Sequence, residues 1–312
     1  MKFAIVGTGG VGGYLGARLA LAGHAVGFLA RGKNLAALRA RGLRVRSPLG
    51  DAETGPLDAS DDPGAIGRAD TVFITTKLYD LEAVARRAKP LVGPGTLVVP
   101  VQNGVEAHEI LARALPPGSV LKGTIYISSF LVGPGEILHK SPFCRLRFAA
   151  ATGGARDDVT SLAAILNAVP GIDAAVSPDI DADLWRKLVM LAPFSAVACL
   201  ERKAVGDVLA DPRCFALFNT AMAEAVAVAR AKGVALPDDI EAATIKQMRQ
   251  FPGNAKPSML EDMEAGRPLE LDYLSGALVR FGKSLGVPTP VHDNAYRTLS
   301  RYAAGRRMEG EG

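Results

Sequence analysis

Through the first half of the chain, short apolar and β-branched runs alternate with segments of helical spacing. Residues 3–6, 25–29, 71–75 and 96–101 predict strands. Residues 12–22, 34–41, 81–88 and 105–115 carry apolar positions at helical intervals and predict helices. Strands alternating with helices predict parallel βαβ units. Residues 120–129 and 144–150 are further strand candidates, with a turn at Gly133-Pro134-Gly135 between them. The Asp- and Pro-rich stretch 51–62 predicts a loop, and 160–168 another helix. Beyond about residue 175 the β-branched runs give way to helical patterns at 181–200, 215–232, 239–250, 258–264 and 271–285. The pattern predicts two domains, 1–174 with a doubly wound, mostly parallel α/β sheet and 175–312 all-helical. The polar tail 306–312 is expected to fray.

Composition narrows this picture. With 48% hydrophobic and 22% charged residues in 312, the chain can fill two cores and is neither disordered nor fibrous. The longest apolar stretch, 188–200, falls short of the roughly 18 residues of a membrane span and is interrupted by Pro193 and Ser195. No membrane association is expected. Three cysteines, Cys144, Cys199 and Cys214, lack metal or disulfide spacing, so no metal site is expected. The chain opens directly into a core strand without a signal-peptide pattern, which predicts a reducing, cytoplasmic setting. A net charge of +4 with no dense basic run favours an anionic small molecule over nucleic acid. The pattern leaves oligomeric state, including a homodimer, open.

The first strand runs into Gly7-Thr8-Gly9-Gly10-Val11-Gly12, a G-x-G-x-x-G motif that ends a strand and opens a helix. Gly7 permits a tight turn, Gly9 lets backbone approach a pyrophosphate, and Gly12 lets helix pack on strand. The second strand is followed by Ala30-Arg31-Gly32-Lys33 rather than by the acid that would hold a ribose 2′-hydroxyl. Arg31 and Lys33 instead suit a 2′-phosphate, so NADP is expected over NAD. Thr75-Thr76-Lys77 and Gln102-Asn103-Gly104 follow two further strands, where polar residues face the ligand crevice. Asn103 before glycine serves equally as a turn residue.

In the helical half, Lys187 shares a helix face with Leu191, Ser195 and Ala198. A lysine there either snorkels to water or, partly desolvated, delivers a proton to a developing alkoxide. Pro193 removes one backbone hydrogen bond from this helix and predicts a kink. Trp185 reads as a core anchor. Ser258 and Glu261 read as a capping box, and Glu270 and Asp272 as acids in a first helical turn behind Pro268. His292 reads as structural.

Taken together, these pieces resemble the ketopantoate reductase family of the 6-phosphogluconate dehydrogenase-like superfamily. The likeness runs through the glycine motif, Arg31, Thr76-Lys77, Gln102-Asn103-Gly104, Leu184-Trp185-Arg186-Lys187-Leu188, Ser258-Met259-Leu260-Glu261-Asp262 and Glu270-Leu271-Asp272-Tyr273. It implies a Rossmann domain followed by an all-α domain. It also implies NADPH-dependent reduction of 2-dehydropantoate to (R)-pantoate, a step toward pantothenate and coenzyme A. By that resemblance Lys187 is the general acid and Asn103 touches both nicotinamide and substrate. Ser258 holds the substrate carboxylate, and Glu270 lies near cofactor and reacting hydroxyl. Gly7, Thr8, Gly9, Gly10, Val11, Gly12, Arg31, Lys33, Lys77 and the main chain at Ser128 bind the cofactor. Leu191 and Ser195, one and two turns after the lysine, stand where members commonly carry asparagines that face the substrate, so by the resemblance they line it; Val205 stands where a further family asparagine falls. That departure favours a 2-oxo acid in general over ketopantoate itself and keeps a paralogous reductase as the alternative. A non-catalytic NADP sensor is the remaining reading.

Overall fold

The computed structural model describes residues 1–152, 154 and 156–305, so the tail 306–312 lies outside the described residues. The chain divides into two compact units, Met1–Gln102 with Glu106–Ile180, and Asn103–Val105 with Asp181–Gly312.

The first unit is built on a five-stranded parallel sheet. Its strand order is Asp58–Ser60, Ala25–Leu29, Lys2–Val6, Thr71–Ile74, Leu97–Pro100. The chain starts at the centre, builds outward on one side, then crosses to the other. The switch therefore falls between Lys2–Val6 and Thr71–Ile74, at whose carboxyl ends ligands bind in such sheets. Both strands are buried over nearly their whole length, which is why they read as unbroken apolar runs. Phe3, Ile5, Phe28, Phe73 and Val99 meet Leu15 and Leu19 of helix Gly10–Leu21 in one core.

Two smaller sheets complete the unit. One orders Ala52–Glu53, Arg44–Arg46, Glu136–His139 and Ser129–Gly133; the other orders Asp173–Val176, Arg145–Ala150 and Leu121–Tyr126. Several expectations are corrected here. The predicted loop 51–62 contains two strands, and Asp58–Ser60 is the sheet's outermost member. The single strand predicted over 120–129 is two, belonging to different sheets. The helix predicted over 105–115 is only Ala107–Ala112. The sequence boundary at 174 falls inside strand Asp173–Val176, which pairs with Arg145–Ala150, and the unit continues through Ile180.

The second unit is helical: Ile180–Glu201, Val205–Ala210, Pro212–Ala231, Ile240–Met248, Ser258–Glu264, Ser275–Leu285 and Pro290–Leu299. Helix Ile180–Glu201 runs unbroken through Pro193, and every residue from Ala192 to Cys199 is buried. An all-round apolar helix belongs in a core. Trp185, Leu188 and Val197 pack with Phe218, Met222, Leu260 and Leu278. Pro212–Ala231 is, by length and composition, apolar enough to cross a membrane, yet half of that stretch is buried in this unit. The helix predicted over 271–285 is interrupted. A 3-10 turn, Leu271–Tyr273, precedes Ser275–Leu285, and Leu274 between them leaves helical geometry.

Candidate active site

Two groups of candidate residues stand out, one in each unit. In the first unit, Gly7 turns the chain out of the central strand at φ +97°. A side chain there would strike Thr76. At Gly12 a Cβ would lie 2.0 Å from the Gly7 carbonyl, and at Gly10 2.0 Å from that of Ser129. These three positions admit only glycine because neighbouring atoms fill the space. Gly9 differs: a Cβ there meets nothing within 4 Å. Its bareness leaves room beside the helix N-terminus. Helix Gly10–Leu21 has no side-chain cap and no acid in its first turn, so its N–H groups and dipole face outward uncontested. Thr76 Oγ1 is buried beside the loop without a hydrogen-bond partner among the described residues. Open space, free donors and an orphaned hydroxyl fit a dinucleotide phosphate.

The loop is braced from three sides. Thr75 Oγ1 donates to the Gly7 carbonyl. Ser129 Oγ donates to Gly10 O at 2.8 Å. Asn34 Nδ2 donates to the Thr8 carbonyl at 2.9 Å and to Thr8 Oγ1 at 2.6 Å, while its Oδ1 accepts from Gly135 N at 2.8 Å. Nothing in the sequence marks Asn34, because the turn it grips lies a hundred residues away. Arg31 caps helix Gly32–Ala40 with its backbone, and both Arg31 and Lys33 are exposed. Lys77 follows strand Thr71–Ile74 and opens the 3-10 turn Leu78–Asp80. Val11 is partly buried in the first turn of its helix. The Ser128 N–H donates to Ser141 Oγ, and the Ser128 carbonyl accepts from Lys140 N.

In the second unit, Lys187 is half-buried on helix Ile180–Glu201. Burial pushes its ammonium down to about 8, and the Glu270 carboxylate partly opposes that fall. Glu270 is 4% exposed and opens the 3-10 turn Leu271–Tyr273. Asn103 Nδ2 donates to Glu270 Oε2 at 3.4 Å. Asn103 reaches this group because Asn103–Val105 belongs to the helical unit, where Val105 packs on its core. A lysine that sheds its proton near pH 8 beside a buried carboxylate can serve as general acid.

Ser258 corrects the capping-box reading. Pro257 is the N-cap, Ser258 is the first helical residue, and no side chain caps the helix. The Ser258 hydroxyl therefore makes no cap bond. Glu270 and Asp272 also lie outside an α-helical first turn; Asp272 Oδ1 accepts from Tyr296 Oη at 2.6 Å. Leu191 is partly buried, whereas Ser195 and Val205 are enclosed in the core.

Two family models match the chain. Ketopantoate reductase PanE/ApbA covers residues 3–151, and its C-terminal counterpart covers 179–303. The chain belongs to the ketopantoate reductase family. It is thus an oxidoreductase, and the family is pyridine-nucleotide dependent. An uncharacterized oxidoreductase of Bacillus subtilis, YkpB, is 33% identical over 97% of this chain and 99% of its own length. A 2-dehydropantoate 2-reductase of Mesorhizobium japonicum is 31% identical, covering 98% of this chain and 99% of that protein. The crystal structure of a PanE/ApbA family ketopantoate reductase from Ralstonia eutropha superposes with a TM-score of 0.88 at 32% identity, covering 97% and 98% of the two chains. The expected fold, a parallel-sheet Rossmann-like unit followed by a helical one, is that of these ketopantoate reductases.

Proposed function

We propose that this protein is an NADPH-dependent reductase of a 2-oxo acid, with ketopantoate and (R)-pantoate as the substrate and product that its family suggests. The observation that carries the reading is the Lys187–Glu270–Asn103 cluster, a desolvated lysine beside a buried, hydrogen-bonded carboxylate. When bound, the reduced nicotinamide supplies two electrons and a hydrogen to the ketone carbon. Lys187 Nζ delivers the proton to the ketone oxygen, completing a 2-hydroxy acid, and regains one from solvent. Glu270 keeps Lys187 charged for that step, and Asn103 orients Glu270 while facing the reacting group. Ser258, whose hydroxyl is not engaged in a cap, holds the substrate carboxylate. Gly7, Gly9, Gly10, Gly12 and the main chain at Thr8 and Val11 cradle the pyrophosphate. Arg31 and Lys33 take the 2′-phosphate, while Lys77 and Ser128 line the nucleotide.

The test is NADPH oxidation with ketopantoate by the wild type and Lys187→Ala. General acid catalysis contributes about 10²–10⁴-fold, so kcat should fall by that order. Turnover close to that of the wild type would remove Lys187 from the role. A second reading, a paralogous reductase for another 2-oxo acid or carbonyl compound, is favoured by Leu191 one turn beyond Lys187.

A further inference from the structure

We propose that the preferred substrate is a 2-oxo acid whose chain beyond the ketone carbon is apolar, and that Leu191 sets this preference. The inference rests on the oxo-acid reductase reading and narrows its substrate class.

Two of the polar groups in the Lys187 cluster already have a task. Asn103 and Glu270 are hydrogen-bonded to each other and serve the reacting carbonyl. Ser258 holds the carboxylate. A substrate whose carbonyl meets Lys187 has the next turn of the same helix beside it. Residues four apart on a helix are neighbours on one face, so Leu191 adjoins Lys187 and Ser195 lies a turn further. Leu191 is partly exposed and offers neither donor nor acceptor. Ser195 is 0% exposed, and the flanking Ala192, Phe194 and Ala196 are buried core. Its Oγ has no hydrogen-bond partner among the described residues, yet full enclosure keeps it from a ligand in this structure. The face beyond the lysine therefore presents a hydrocarbon surface through Leu191. A substrate hydroxyl set against it would give up water for no partner, whereas a methyl group loses nothing. Apolar surfaces reject an added hydroxyl only moderately, by about 10²-fold at most, whereas a site built to bond that hydroxyl rejects its absence by about 10⁴–10⁵-fold. The two designs thus differ in sign and in size.

The test uses the full-length protein with NADPH and two substrates of one shape. Ketopantoate, 4-hydroxy-3,3-dimethyl-2-oxobutanoate, carries a terminal hydroxyl; 3,3-dimethyl-2-oxopentanoate carries methyl in its place. The methyl compound should show the higher kcat/KM, by about 10–100-fold. Leu191→Asn should cut that ratio at least tenfold, while Leu191→Met, which keeps the surface apolar, should preserve it. A wild-type ratio of one or less overturns the inference, even if Leu191→Asn fails to fold. An unchanged ratio in a folded Leu191→Asn removes Leu191 as its cause. If neither compound is reduced although NADPH binds, the reductase reading itself fails, and the inference with it.

Discussion

Lys187 is unusual because its environment and its charge disagree. Burial lowers its pKa to about 8, and Glu270 is what keeps it from falling further. With the protonated form as the proposed donor, reduction should decline as pH rises through about 8, and oxidation of a 2-hydroxy acid should rise over the same interval. Glu270→Gln removes the opposing charge and should move the declining limb to lower pH. A kcat/KM profile for both proteins checks this; a limb that stays in place, or one near the ordinary lysine value, contradicts it. At this scale the sequence is partly legible. A lysine on an apolar helix stands out by residue type alone. The other residues depend on partners that spacing does not reveal. Asn34 grips Thr8 and Gly135 at once, and Asn103 finds Glu270 across most of the chain. Ser258 has the spacing of a capping box, Ser-x-x-Glu, but Pro257 takes the cap position.

Elements are legible where burial imposes a period. The central strands are almost wholly apolar, as is the lysine helix beyond Lys187, and they fall within a residue or two of where the pattern puts them. Asp58–Ser60 is illegible because an edge strand of three residues, one of them Asp, has no apolar run to show. Helix Pro290–Leu299 is likewise hidden, although its His292 is structural, as its sequence context suggests. That histidine is 0% exposed, and its ring meets Ser275 Oγ at 3.2 Å and the Ala221 carbonyl at 3.0 Å, joining three helices. Burial holds its pKa at about 4, so it is neutral when folded, whereas an unfolded histidine protonates near 6.5. The unfolded chain therefore binds the extra proton between those values. The stabilisation is complete above about pH 6.5 and is lost as pH falls toward about 4, amounting to about 2 kcal/mol by about pH 5. Glu224, which accepts from the backbone of Val291 and His292, has its pKa raised by burial and works in the opposite direction. His292→Gln should be less stable at about pH 7 by about 1–3 kcal/mol, through the lost ring contacts. It should also lose less than the wild type on going from neutral to mildly acid pH. Urea unfolding at the two pH values reads both effects, and parallel losses would exclude His292 as the titrating group.

On the scale of the whole chain, the residues proposed to carry the chemistry are divided between two cores. The glycine loop, its braces and Arg31 belong to the first unit, and the Lys187 cluster belongs to the second, completed by the excursion Asn103–Val105. Variants should therefore separate by unit. Arg31→Ala removes the exposed guanidinium proposed to make a charge-assisted contact to the 2′-phosphate. NADPH should bind about 10–100-fold more weakly, from roughly 1.5–3 kcal/mol of lost interaction, while NADH, which lacks that phosphate, should be almost unaffected. Lys187→Ala should do the reverse: the nucleotide dissociation constant stays nearly the same, and kcat collapses by the order that general acid catalysis supplies. Nucleotide fluorescence titration and steady-state rates on the same preparations measure both quantities. If Arg31→Ala weakens NADH and NADPH equally, the 2′-phosphate is held elsewhere. A wild type that binds NADPH tightly yet reduces no 2-oxo acid would point to a sensor, so the wild-type rate is the first measurement. If Lys187→Ala abolishes nucleotide binding along with turnover, the lysine supports the cofactor site, and the division of labour between the two cores is wrong.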